Sequence, residues 1–235
     1  MVKVKTRIMR QKQETFSHLC ARLQESGLRI LHSGPPAGNW PGDPRVRSVL
    51  LVGQAGSELW PHFTQSPEYH DGAPNPLDRW SQRVIQAAAP HYRFFHPSGG
   101  PPYAPIHALV SSGAYANSPL GILVHATFGL WTAFRGILVT EELLPPSPCL
   151  PAPDPQVFAE CYGACPAGAL TQTGYDAQAC GLYMAQTPQA PCWAGCLARH
   201  ACTLGQAYAY SPAHARFHAA AYVRGVQRTS TAAAT

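Results

Sequence analysis

The sequence has no run of 18 apolar residues, so it predicts no membrane-spanning helix. The N-terminus lacks the apolar stretch of a secretory signal, and a cytoplasmic protein is expected. Acids are absent until Glu14, and Lys3, Lys5, Arg7, Arg10 and Lys12 crowd the start. A transit segment is one reading of that stretch; a solvated first helix is the plainer one. Charged residues are scarce, at 12% of 235. So few charges predict that a cofactor, a partner or a second copy in a homodimer covers part of the surface. The net charge of +5 forms no single patch, and no aromatic–basic interleaving accompanies it. Both facts argue against a nucleic-acid partner. No repeat of fixed period is present.

Cysteine is not scarce. Eight cysteines in a chain read as non-secreted suit metal or redox work better than a disulfide framework. A chain of this length can bury a core without disulfide staples.

The spacing of Phe16, Leu19, Cys20, Leu23 and Leu28 predicts an opening helix over residues 4–31, with Gly27 near its end. Arg47-Ser-Val-Leu-Leu-Val-Gly53 reads as a buried strand. Leu77 to Ala89 reads as a helix stopped by Pro90, with Asp78 in its first turn, where a carboxylate suits the helix dipole. Tyr92 to Phe95, Ile106 to Val110, Leu120 to Val124 and Ala133 to Thr140 are β-like. The proline-rich stretch from Pro145 to Pro155 predicts a boundary. It divides an α+β cofactor-binding body, residues 1–145, from a cysteine-rich region with a C-terminal helix, residues 146–235.

Seven cysteines lie from that stretch onward: Cys149, Cys161, Cys165, Cys180, Cys192, Cys196 and Cys202. Cys161-Tyr-Gly-Ala-Cys165-Pro166-Ala-Gly-Ala-Leu170 carries the tail of a ferredoxin-type signature, in which the cysteine before proline serves a different cluster from its neighbours. Cys192-x3-Cys196-x5-Cys202 supplies a second group. Zinc is the competing metal, since four thiolates suit it as well. Seven cysteines in 54 residues are too many for a set of small buried hydrophobes, a reading that fits isolated Cys20.

Two stretches together resemble the corrinoid-dependent epoxyqueuosine reductases and, more distantly, the reductive dehalogenases and the CblC-type cobalamin-trafficking proteins. The first is Ser112-Gly-Ala-Tyr-Ala-Asn-Ser-Pro-Leu-Gly121 with Gly129-Leu-Trp-Thr-Ala-Phe-Arg-Gly-Ile-Leu-Val-Thr140. The second is the cysteine series from Cys161 to Cys202. The resemblance spans about residues 45–205 and implies a nitroreductase-like mixed sheet flanked by helices, with a ferredoxin-like iron–sulfur region behind it. It implies that Ser112, Gly113, Tyr115, Gly121, His125, Gly129, Trp131 and Gly136 line a cobalamin pocket. It groups Cys165, Cys180, Cys192 and Cys196 around one [4Fe–4S] cluster. Cys161, Cys202 and Cys149 are left as an incomplete second set. Asp78 matches a proton donor of the reductases, although Arg79-Trp80 stands where they have Tyr-His.

The resemblance therefore implies an oxidoreductase in which an external reductase or ferredoxin feeds the cluster and the cluster feeds the cobalamin. A non-catalytic cobalamin carrier, a ferredoxin-like electron-transfer protein without corrinoid, and a flavin in place of corrinoid stand as alternatives. Fold alone does not decide among them. His125, His96 and His107 are each candidates for a cobalt ligand or a substrate contact, beside the commoner structural role. Tyr208, Tyr210, Phe217 and Tyr222 read as packing residues.

Overall fold

The computed structural model describes residues 16–36, 40, 43–97, 115–171 and 174–232, the last four as backbone only. Ile106 to Val110, His107, Ser112 and Gly113 lie outside the described residues. The chain forms an α+β structure of two compact units. One contains Met1–Ala114 and Ala133–Leu150, the other Tyr115–Thr132 and Pro151–Thr235. The boundary expected at residue 145 thus lies a few residues later, and the segment 115–132 groups with the cysteine-rich end.

In the first unit, helix α1 (residues 16–24) is followed by a turn at Gly27 and by strand β1 (Arg29–Gly34). The helix expected to run to residue 31 therefore ends earlier. Gly27 has φ +69, and a Cβ there would lie 2.3 Å from the Glu58 carbonyl carbon. The chain can turn so tightly there only because glycine tolerates the left-handed region and adds no side chain.

β1 pairs antiparallel with β2 (Ser48–Ala55), and the register is irregular between Ile30 and His32. All eight residues of β2 are buried, which explains its near-continuous apolar sequence. The sheet order is β1-β2-β6-β3, with β3 (Arg93–Phe95) antiparallel to β6 (Thr132–Thr140).

Helices α2 (Trp60–Thr64), α3 (Pro67–His70) and α4 (Pro76–Ala88) complete this unit. Each has proline in its first turn, where the missing N–H costs no intrahelical bond. Phe63 joins them: its ring lies 5.2 Å from Tyr69 and 5.7 Å from Trp80. Glu68 forms a two-point ion pair with Arg83.

The second unit holds a hairpin, β4 (Tyr115–Asn117) with β5 (Leu123–His125), and a two-residue strand pair, β7 (Leu170–Thr171) with β8 (Gly174–Tyr175). The rest is helical: three 3-10 turns, η1 (Pro155–Cys161), η2 (Pro191–Ala194) and η3 (Gln206–Tyr208), and helices α5 (Ala177–Gln186), α6 (Leu197–Ala201) and α7 (Pro212–Ala232). Glycine lets α5 and α7 approach closely, since a Cβ on Gly181 would lie 2.6 Å from Val226. The expected ferredoxin-like region finds no support in these elements. Among the described residues, the only strands after η1 are the two-residue pair β7 and β8, and helices and turns carry the cysteines.

Candidate functional site

The cysteines of the second unit are placed by short elements, two of them capped by aspartate. Asp154 caps η1 by accepting the Gln156 N–H at 2.9 Å, which sets Cys161 at the end of that turn. Pro166 and Gly168 (φ +59) then reverse the chain just beyond Cys165. Asp176 caps α5 by accepting the Ala179 N–H at 2.9 Å, one residue before Cys180. Gly195 (φ +147) bends the chain from η2 into α6, with Cys196 at the helix cap.

Four of these residues, Cys165, Cys180, Cys192 and Cys196, line one cavity of about 410 Å³, together with Trp131, Arg199, Tyr210 and a rim of apolar side chains. The backbone N–H groups of Leu197 and Arg199 point to the sulfurs of Cys192 and Cys196. Such donors, at a helix N-terminus, favour thiolate. Burial works against them and holds both thiols above the usual 9.0. This is so even though Cys196 as a whole residue is exposed, because desolvation acts on its sulfur. Four thiols facing one space, two of them with N–H donors, are a chemically apt donor set for a metal centre. Among the described residues, however, no three His, Cys, Asp or Glu side chains draw close enough to hold a single ion.

Cys161 and Cys202 are placed differently. Both are fully buried, among Leu120, Val124, Leu130 and Phe158. Cys202 Sγ lies 4.0 Å from the Leu204 carbonyl oxygen, and burial, with Cys202 beside it, pushes the Cys161 thiol up to about 11. Cys149 is exposed and belongs to the first unit. Cys20 sits on α1, its thiol raised by burial.

Of the residues expected around a corrinoid, Gly121 and Trp131 line the cavity. Tyr115 is buried, its phenol pushed above its usual range by desolvation, with its ring edge-on to His125 at 4.9 Å. His125 is also buried; its Nδ1 accepts the backbone N–H groups of Thr127 (3.0 Å) and Phe128 (3.2 Å). It thereby closes the turn after β5. Gly129 has φ +59, and a Cβ would fall 2.0 Å from the Leu204 carbonyl oxygen. Gly136 lies in the first unit, where a Cβ would meet the Phe94 ring at 2.6 Å.

Asp78 also lies in the first unit, in the first turn of α4. Its Oδ1 is 3.7 Å from His96 Nε2 and 3.8 Å from Arg135 Nη1. Arg135 is held in turn by Gln54, whose Oε1 accepts its Nε–H at 3.1 Å. The two positions that depart from the reductase pattern both have structural partners. Arg79 pairs with Asp71 at 2.7 Å, and Trp80 is buried against Phe63.

Reading the sequence missed Tyr175 and Arg199. It also took Tyr222 for packing, although its hydroxyl lies 2.8 Å from that of Tyr175 and both residues line the cavity with Cys180. No local spacing marks these residues, because they come from separate elements.

No protein-family model and no curated protein matches the chain. A solved structure does: a B12-trafficking protein CblC from C. elegans, a homologue of human MMACHC. The TM-score is 0.50 at 13% identity, over 93% of this chain and 96% of that one.

The chain has a CblC-like fold.

At that identity the likeness is one of architecture. No helix among the described residues of the CblC-like chain is long and apolar enough to cross a membrane.

Proposed function

We propose that this chain binds cobalamin and acts as a carrier or handling protein for it. The supporting observation is the CblC-like fold over nearly the whole of both chains. The residues from Ser112 to Gly121 and from Gly129 to Thr140, which resemble corrinoid-binding segments, add to it. The reading is tested by incubating the purified chain with hydroxocobalamin and separating the two by gel filtration. Corrinoid absorbance eluting with the protein at close to one per chain is expected; corrinoid eluting wholly with the free vitamin refutes the reading.

A specific observation favours a second, finer reading, in which the chain is also a redox protein. Cys165, Cys180, Cys192 and Cys196 line one cavity. Thiols spread around a space suit a cluster, where each thiolate binds a different iron, better than one tetrahedral zinc. A [4Fe–4S] cluster bound there would supply single-electron transfer, fed by an external reductase or ferredoxin. The chain's own part is to present four sulfurs, to donate the Leu197 and Arg199 N–H groups to two of them, and to line the same cavity with Tyr175 and Tyr222. In a catalytic version Asp78, paired with His96 and Arg135, would hold or deliver the proton. Anaerobic reconstitution with iron and sulfide should give about four of each per chain. Protein that takes up zinc alone rejects this part and leaves the cobalamin reading standing.

A further inference from the structure

The wall of the cavity beside the cysteines carries a second group of polar atoms. The Arg199 guanidinium lies between two aromatic faces, 4.3 Å from the Trp131 ring centre and 4.5 Å from that of Tyr210. One of its N–H groups donates to the Leu130 carbonyl. Arg199 Nε, Trp131 Nε1 and Tyr210 Oη are all buried and have no hydrogen-bond partner in the structure. Trp131 is 1% exposed and Tyr210 6%. All three residues line the cavity.

Two of these orphans, the guanidinium and indole N–H groups, are donors only, and the phenol can donate. A buried donor without an acceptor is costly, and a cation without a counter-charge is more so. The cavity supplies no carboxylate, for no Asp or Glu lines it among the described residues, and burial holds the Cys196 thiol beside Arg199 above its usual range. The sequence of the second unit contains only three carboxylate side chains, Asp154, Glu160 and Asp176. Histidines surround the two rings. His200 packs on Trp131 at 4.8 Å, His214 stacks on Tyr210 at 4.2 Å, and His218 lies 3.0 Å from His214. The remaining walls, which include Leu120, Ile122, Met184 and Tyr183, are apolar or aromatic.

We infer that this cavity is a binding site for a small organic anion, with a carboxylate or phosphate on Arg199, Trp131 and Tyr210 and an apolar body against the opposite wall. Oxyanions supply the acceptors that the three donors lack, and a planar guanidinium held by two rings is already oriented for them. A volume of about 410 Å³ suits a ligand of one or two rings. The head-group donors are not cysteines, and the site does not depend on cobalamin.

The test is calorimetric titration of the full-length chain, iron-free and iron-loaded, with benzoate, phenyl phosphate and the neutral control benzyl alcohol. Saturable binding of at least one anion is expected, tighter than benzyl alcohol by tenfold or more. Whichever anion binds identifies the head group. Arg199→Met should weaken it at least tenfold. Tyr210→Phe, which removes only a hydroxyl, should weaken it several-fold with the melting temperature nearly kept. Binding to the iron-free chain alone also supports the site and places anion and cluster in the same volume. No saturable anion binding to either form overturns the inference, as does benzyl alcohol binding as well as the anions. Equal anion affinity in folded Tyr210→Phe and in wild type overturns the assigned geometry.

Discussion

The Tyr175 hydroxyl lies 2.8 Å from the Tyr222 hydroxyl, and both residues line the cavity with Cys180. Tyr222 donates its proton to the Ala177 carbonyl at 2.6 Å. That leaves the Tyr175 proton to be donated to Tyr222 Oη. Burial raises both phenols, Tyr222 to about 12. This small network ties β8, α5 and α7 together around one wall of the cavity. Tyr175→Phe and Tyr222→Phe should each cost about 1 kcal/mol, the ordinary net worth of a hydrogen bond. In urea unfolding the double variant should lose less than the sum, by about 0.5 kcal/mol or more, because the two share a bond. Strict additivity contradicts the network.

Acid stability should depend on Glu68. The Arg83 guanidinium, bound to both its oxygens, holds its carboxyl at about 2 against an ordinary 4.5. A lowered folded value means that the pair stabilises fully above about pH 4.5 and that this stability is lost as pH falls toward 2. Asp43, held at about 2 chiefly by Arg45, titrates in the same direction and is common to all variants. Glu68→Gln should therefore flatten the fall in urea midpoint across that window. Identical slopes in wild type and variant refute the assignment.

Two glycines with the same backbone sign separate strain from crowding. Gly72 has φ +70 with nothing within 4 Å of a Cβ, whereas Gly27 has φ +69 with the Glu58 backbone at 2.3 Å. Gly72→Ala should cost about 1 kcal/mol, for backbone strain alone. Gly27→Ala should cost that plus overpacking, about 1–3 kcal/mol more. Equal losses, measured by thermal or urea unfolding, argue against the tight contact between Gly27 and the chain at Glu58.

The cysteines should fall into functional groups. Serine at Cys165, Cys180, Cys192 or Cys196 should abolish stoichiometric iron uptake. Serine at Cys20 or Cys149 should leave it unchanged. Serine at Cys161 or Cys202 should lower stability, since it buries a polar hydroxyl among apolar groups, while iron uptake persists in the folded fraction. Iron uptake that survives serine at each of the four cavity positions contradicts a cluster there.

Much of this was legible in sequence where local chemistry decides structure. β2 shows as an apolar run, and α4 shows by its spacing and the proline after it. Cys165, Cys180, Cys192 and Cys196 were grouped by resemblance; in the structure all four line one cavity, with no metal-holding group among the described residues. The illegible parts depend on partners distant in the chain. Arg29 to Leu31 follow directly on the helix-like spacing that ends at Leu28, and only Gly27 and the pairing with β2 make them a strand. Residues 115–132 precede the proline-rich boundary yet group with the cysteine-rich end beyond it, because Gly129 packs on Leu204 and Trp131 on Tyr210. Arg199 reads as an ordinary helix charge until Trp131 and Tyr210 are seen on either side of it.

The central claim is cobalamin binding, and equilibrium titration of hydroxocobalamin into the purified full-length chain tests it most directly. A saturable change in the corrinoid absorption spectrum, with one site per chain, is the expected result. A spectrum that stays that of the free vitamin at every protein concentration contradicts the claim.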